Sequence, residues 1–243
     1  MNVAAIVPAA GVSLRLGGRI GKPFVPVSDR PLLAHALQTL QASPSIRWII
    51  PVVRAADARA VRALLVRYKI SKALPPCVGG PSRADSVAHG VAAVPAQARW
   101  VLIHDGARPC VSQALIRQVI QAARQHGAAA CGLPASSTVK AVDEHRTVRL
   151  TLDRESLWFV QTPQAFRHDW LVRSLAAAGH RLDQFPDDAA VLEAAGFQVQ
   201  MVPGDPLNLK VTTREDLVVA QAILAHQHRN GYASRNRVRR PSI

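Results

Sequence analysis

Short, almost wholly apolar runs alternate along this chain with segments whose apolar residues recur at helical spacing. "NVAAIV" opens the series and "PLLAHALQTLQAS" follows it as a helix. "IRWIIPVV" is strand-like, and "AADARAVRALLVRYK" and "SRADSVAHGVAAV" are helical. "RWVLIHDGARP" is again a near-continuous apolar strand that ends abruptly in polar residues; "QALIRQVIQAARQHG" is a helix closed by Gly127, and "AAACGLPA" is a buried strand. Strands that are apolar on both faces, alternating with amphipathic helices, demand cover on both sides. The fold class is therefore α/β, with a mostly parallel, twisted sheet between layers of helix. In such folds ligands bind beyond the carboxyl ends of the strands. Two polar loops fall there, "PAAGVSLRLGGRIGKP" after the first strand and "HDGARP" after a later one.

At 243 residues the chain can bury one large core. The expected organisation is a single domain over residues 1–228 and a basic, disordered tail over 229–243, since "HQHRNGYASRNRVRRPSI" has five arginines, no acid and little apolar periodicity. No apolar run reaches membrane-spanning length, and "MNVAAIVPAAG" lacks a basic leader and a cleavage site, which reads as a cytoplasmic start. Cys77, Cys110 and Cys131 are widely spaced and form no CxxC pair, so buried reduced thiols are expected. His226 and His228 are read as solvent-facing rather than as zinc ligands. The net charge of +14 makes nucleic acid the rival partner to consider, yet many arginines fall on the polar face of "RAADARAVRALLVRYK" and aromatics are only 5% of the chain.

One segment breaks the alternation. "ASSTVKAVDEHRTVRLTLDRESLW", about residues 135–158, has period-two patterning around a turn near Asp143–Arg146, and reads as a hairpin arm. An exposed hairpin needs cover, and a second subunit is an economical one.

Five stretches carry chemistry. The opening loop is neither GxGxxG nor GxxxxGK[ST]; its small residues Ala9, Ala10 and Gly11 allow backbone N–H groups to approach a phosphate, while Arg15 and Lys22 add charge suited to a triphosphate. Asp105, delivered to the end of a strand, is a natural Mg²⁺ ligand. "GGPSRADSV" turns at Gly79 and Gly80 and opens a helix with Ser82 as cap candidate; its free N–H groups and small side chains can read a base edge or sugar, and Arg83, Asp85 and Ser86 hold the loop. "NLKVTTREDL" places Lys210 before a helix capped by Thr212 or Thr213, and "QTPQAF" brings Thr162 back to the body.

Taken in order, "PAAGVSLRLG", "GKPF", "GGPSRADSV", "HDGARP", "STVK", "LDRESLWFVQTPQAF", "DDAAVLE" and "NLKVTT" resemble the 2-C-methyl-D-erythritol 4-phosphate cytidylyltransferase family across nearly the whole chain. The resemblance implies a Rossmann-like nucleotidyltransferase domain with a protruding β-arm that embraces a second subunit. It implies transfer of a cytidylyl group from CTP, with Mg²⁺ or another divalent cation, releasing pyrophosphate, in non-mevalonate isoprenoid synthesis. By motif, Pro8, Ala9, Ala10 and Gly11, with Arg15 and Lys22, would hold the triphosphate. Gly80, Asp85 and Ser86 would sit near cytosine and ribose, and Ala107 and Arg108 would line the site. Asp105 would bind the metal. Thr138, Arg154, Thr162 and Lys210 would bind the methylerythritol phosphate, Thr138 and Arg154 arriving on the partner's arm. Ser13 stands where the family usually has glycine, and Pro23 follows Lys22 where it usually has glutamine.

Residues and resemblance agree on the chemistry: an acceptor phosphate oxygen attacks the α-phosphorus of CTP, with Arg15, Lys22 and Lys210 as the catalytic cations. Two rivals remain open, a cytidylyltransferase for another polyol phosphate such as ribitol 5-phosphate, and a basic nucleic-acid-binding protein. A dinucleotide oxidoreductase is disfavoured, because GxGxxG is missing and "VVRAAD" places Arg54 where an acid is needed.

Overall fold

The computed structural model describes residues 2–11 and 21–237. Ser13 and Arg15 lie outside the described residues. The elements run β1 (Val3–Pro8), β2 (Pro26–Val27), β3 (Arg30–Pro31), α1 (Leu32–Ala42), β4 (Ile46–Val53), α2 (Ala58–Arg67), β5 (Cys77–Val78) and α3 (Arg83–Ala92). They continue with β6 (Trp100–Ile103), α4 (Gln113–His126), β7 (Ala128–Pro134), β8 (Val139–Val142), β9 (Val148–Leu152), β10 (Trp158–Arg167), α5 (His168–Ala178), α6 (Asp188–Ala194), β11 (Gln200–Pro203) and α7 (Arg214–Arg237).

Seven strands form one mixed sheet in the order β11-β7-β10-β6-β1-β4-β5. Strand β1 pairs in parallel with both β4 and β6, while β10 runs antiparallel to both β6 and β7. The chain leaves β1 towards β4 and β5, then returns to β1's other side as β6. Strand order therefore reverses between β1 and β6, and their carboxyl ends part to leave a crevice there.

Val3 to Val7 of β1 are all buried while their side chains alternate between the two faces of the sheet, which shows why both faces must be covered. Val3, Ala5 and Val7 pack with Leu33 and Leu37 of α1, Val61 of α2 and Ile116 of α4. Ala4 and Ile6 face the other way, towards Val87 of α3, Leu171 of α5 and Leu192 of α6. Helix α3 approaches the sheet closely through Gly90, where a Cβ would stand 2.6 Å from Ile6 Cγ2 and 2.9 Å from Val52 Cγ2. That approach sets the first turn of α3 over the crevice.

Three elements add detail to the sequence reading. "QTPQAF" belongs to a ten-residue strand, β10, whose apolar signal is diluted by Gln161, Pro163 and Gln164. The register shifts between Gln161 and Gln164, so Pro163 sits where the ladder is already interrupted and needs no donor. The hairpin strands are shorter than the 135–158 segment, β8 and β9 pairing around a turn closed by Asp143 and Thr147. Helix α7 runs on to Arg237, taking in the first nine residues of the stretch read as a disordered tail; no proline lies between Arg214 and Pro241. The apolar positions that seat this helix lie earlier, where Ala220, Ile223 and Leu224 pack with Val27, Leu32, Cys110 and Val211.

Candidate active site

A cavity of about 330 Å³ opens at the crevice. Its walls come from four of the five stretches singled out in the sequence. Pro8, Ala9, Ala10 and Gly11 leave β1; Lys22 and Pro23 come from the following turn; Gly80, Ser82, Arg83 and Ser86 come from the start of α3. Asp105, Gly106 and Ala107 follow β6, and Lys210 completes the wall from the stretch before α7. Three glycine positions let these segments meet. A Cβ on Gly79 would stand 2.8 Å from Ala10 Cβ, one on Gly106 would stand 2.9 Å from Leu33 Cδ1, and one on Gly80 would stand 2.4 Å from Asp85 Cβ.

Local chemistry fixes each wall. The Ala9 N–H donates to Val52 O at 2.7 Å, so it extends the sheet and is not available to a ligand. Pro23 occupies a 3-10 turn over Lys22–Phe24, where its fixed φ suits the first helical positions, and its departure from the family pattern is accommodated there. Ser82 caps α3 in a reciprocal box: its Oγ accepts from the Asp85 N–H at 3.0 Å, and Asp85 Oδ2 accepts from the Ser82 N–H at 3.0 Å. The Ser82 hydroxyl also donates to that carboxylate at 2.7 Å, and these bonds hold the Asp85 acid below its ordinary range. Asp85 is therefore a cap behind the wall. Ser86 Oγ accepts from the Gly80 N–H at 3.1 Å and donates to Ser82 O at 2.9 Å, which ties the glycine turn to the helix.

Asp105 is the electrostatic centre, 6% exposed. Its Oδ1 accepts from Arg83 Nε at 3.2 Å and its Oδ2 faces Lys210 Nζ at 2.8 Å. Burial alone would raise its pKa, but Arg83 and Lys210 outweigh that and keep the carboxyl far below the usual range, so it is ionised. Arg83 in turn forks onto Asp188, with Nη1 at 3.1 Å from Oδ1 and Nη2 at 2.8 Å from Oδ2. Its two carboxylate partners together outweigh desolvation and raise the guanidinium further. Neither Arg83's central place nor Asp188 is foreseen as site chemistry in the sequence; the signal available is the paired acid "DD" opening a helix, one cap and one side chain turned inward. Asp187 is the cap, accepting from the Ala190 N–H at 2.9 Å.

Arg108 and Thr162 stand behind the cavity rather than on its wall. Arg108 is 8% exposed and donates through Nη1 to Asn208 O at 2.7 Å, with Nε 3.9 Å from Asp105 Oδ2. Burial lowers its basicity despite Asp105. The Thr162 hydroxyl accepts from the Asp105 N–H at 3.0 Å. It also lies 3.3 Å from Nδ1 of His104, whose Nε2 is 3.1 Å from Arg108 O. A carbonyl only accepts, so Nε2 carries the proton; burial pushes His104 down to about 4, so the ring is neutral and Nδ1 accepts from Thr162. Asp105 N–H, Thr162 Oγ1, His104 and the Arg108 carbonyl thus form one directed chain of hydrogen bonds. Asn208 Nδ2 donates to Thr162 O at 2.8 Å and closes it against the Lys210 stretch.

Thr138 and Arg154 are not brought to this cavity. Both are exposed on the arm, with Arg154 Nη1 donating to Ser136 O at 3.3 Å. The arm also exposes Val142, Val148 and Leu150, and Phe159 and Val160 stand exposed at the adjoining start of β10. Among the described residues no group of three or more His, Cys, Asp or Glu could hold a metal ion, and no helix is long and apolar enough to cross a membrane. Cys110 and Cys131 are buried and free, their thiols both pushed up to about 12 by desolvation.

Comparison with known proteins agrees with this geometry. The family model described as IspD, 2-C-methyl-D-erythritol 4-phosphate cytidylyltransferase, matches residues 3–226. A protein of that name from Desulforamulus reducens is 38% identical over 228 residues, covering 93% of this chain and 97% of its own. One from Gloeobacter violaceus is 40% identical over 225 residues, covering 92% and 97%. The crystal structure of 4-diphosphocytidyl-2C-methyl-D-erythritol synthase from Anaerococcus prevotii superposes with a TM-score of 0.80 at 30% identity, covering 92% of this chain and 96% of that one. With the family model matched over residues 3–226 and relatives matched over nearly their whole length, the chain belongs to the 2-C-methyl-D-erythritol 4-phosphate cytidylyltransferase family.

Proposed function

We propose that this chain transfers the cytidylyl group of CTP to 2-C-methyl-D-erythritol 4-phosphate, forming 4-diphosphocytidyl-2-C-methyl-D-erythritol and pyrophosphate, as a cytoplasmic homodimer. The observation that carries this reading is the convergence of the loop after β1, the start of α3, the loop after β6 and Lys210 on one cavity at the sheet's switch point. In the reaction an acceptor phosphate oxygen forms a bond to the α-phosphorus, and the bond from that phosphorus to the oxygen bridging it to the β-phosphorus breaks, that oxygen leaving on pyrophosphate. The incoming group is already an anion, so the protein needs no nucleophile of its own. Its task is to align two anions and offset their repulsion. Lys22 and Lys210 reach the wall for this purpose. Arg15, outside the described residues, is assigned the same role by its place in the motif. The small residues Ala10 and Gly11 leave room for phosphates beside the backbone, and Gly80 and Ser86 shape the nucleoside end.

A divalent cation fits the donor set in one way. Asp105 is the only carboxylate on the described wall, it is ionised, and Mg²⁺ takes one or two carboxylates together with phosphate oxygens. The cation would arrive with the triphosphate and supply neutralisation of its charge. Asp105 would hold it through the oxygen that otherwise faces Lys210, which frees that ammonium for the phosphates.

The arm supports the dimer. Its exposed Val142, Val148 and Leu150 are an apolar surface that a second copy would cover, and Thr138 and Arg154 would then reach the partner's cavity as acceptor ligands. The test is pyrophosphate release from the purified protein with Mg²⁺ and CTP, with methylerythritol 4-phosphate or ribitol 5-phosphate as acceptor. Release with the first alone is the expected result. Release only with the second would keep the nucleotide half of the site and overturn the acceptor assignment.

A further inference from the structure

Asp188 lies outside the cavity wall, yet its position is fixed with unusual care. Gln164 of β10 donates through Nε2 to Asp187 Oδ2 at 3.0 Å and accepts at Oε1 from the Ala189 N–H at 3.1 Å. Together with the Asp187 cap, these bonds clamp the first turn of α6 and place Asp188, 3% exposed, against Arg83. Every nitrogen of the Arg83 guanidinium is then used, two on Asp188 and Nε on Asp105. Guanidinium and carboxylate prefer a two-bond fork. Here the fork goes to Asp188, and Asp105 receives one longer bond on Oδ1. The opposite oxygen, Oδ2, faces Lys210 Nζ at 2.8 Å on the cavity side, with Arg108 Nε at 3.9 Å behind it.

We propose that Asp188 is a positioning residue: by taking the fork of Arg83 it prevents that guanidinium from closing on both oxygens of Asp105, and so keeps Asp105 Oδ2 exchangeable between Lys210 and a cation carried by the nucleotide. Asp188 touches no substrate in this account. It acts through Arg83 on the presentation of one carboxylate oxygen. Removing its charge frees the fork, which swings onto the nearest remaining carboxylate, Asp105.

The experiment uses the full chain and two readouts. Mn²⁺ affinity in the presence of CTP, by electron paramagnetic resonance, needs no turnover. Steady-state pyrophosphate release rests on the proposed function, so a wild-type protein that binds Mn²⁺–CTP but releases nothing counts against that function and leaves the Mn²⁺ comparison to judge Asp188. For Asp188→Asn the expected result is Mn²⁺ affinity weaker by about tenfold or more, with kcat lowered similarly and KM for CTP little changed. The double variant Arg83→Met, Asp188→Asn removes the freed fork and is expected to recover Mn²⁺ affinity to within about threefold of wild type. A merely structural Asp188 would lower thermal stability and CTP binding together with Mn²⁺ affinity in the single variant. Wild-type Mn²⁺ affinity in Asp188→Asn, or a double variant no better than the single, overturns the proposal. If Asp188→Asn does not fold, the double variant, in which neither buried charge is left alone, decides by itself: affinity within about threefold supports the proposal, and a loss of about tenfold refutes it.

Discussion

Thr162→Val separates two roles that the sequence alone merges. By resemblance Thr162 would bind the acceptor; in the structure its hydroxyl joins the Asp105 N–H to His104 Nδ1, 4% exposed. Valine keeps the shape and removes the hydroxyl. One buried donor and one buried acceptor then lose their partner, at about 1–3 kcal/mol each, so the expected loss is about 3 kcal/mol after partial relaxation. In a domain of this size each kcal/mol moves the melting temperature by about 2–4 °C, which gives a fall of about 6–12 °C. Thr162→Ser keeps the hydroxyl and loses one methyl group, at about 1 kcal/mol. The assay is thermal and urea unfolding of the three proteins without ligand, followed by KM for acceptor. The bridging role predicts the order wild type, serine, valine in stability before any substrate is added. A valine variant that melts within about 2 °C of wild type and differs only in acceptor KM would refute the reasoning.

Three further outcomes are expected. His104 titrates near 4 when folded, below its ordinary 6.5, so the unfolded chain takes up more protons between these values; its contribution, about 3 kcal/mol, is complete above about pH 6.5 and is lost as pH falls toward 4. Urea titrations from pH 4 to 7 check it, His104→Gln showing a flatter dependence than wild type. Lys22→Ala should lower kcat by about a hundredfold or more while KM for CTP changes far less, because its charge is assigned to the transition state; a change in KM alone would place Lys22 in ground-state binding. Replacing Val148 and Leu150 on the arm by lysine should shift the protein to monomer on light scattering and raise KM for the acceptor more than for CTP, and an unchanged dimer would remove the arm from the interface.

What was legible in the sequence follows from what kind of force writes it. Strands β1, β4, β6 and β7 are legible because burial on both faces demands unbroken apolar residues, and that demand leaves no room for polar camouflage. Strand β10 is not, because it begins exposed at Phe159 and carries glutamines whose amides serve the site and α6: Gln161 bonds Asp205 and Gln164 bonds Asp187. The cations and small residues of the cavity wall are legible for a similar reason, since a triphosphate needs charge and backbone access at places the alternation already marks. Asp85, Arg83 and Asp188 were harder. Asp85 in "GGPSRADSV" and Asp187 in "DD" cap helices, whereas Arg83, two positions before the first, and Asp188, next to the second, meet at the centre. A helix rotates its neighbours by about 100° per residue, so which acid caps and which turns inward depends on packing against Gln164 and the sheet. Local pattern reaches the wall of the site; the charges that hold that wall are arranged by contacts between residues far apart in the chain, and the pairing of Arg83 with Asp188, 105 residues away, is written in no single motif.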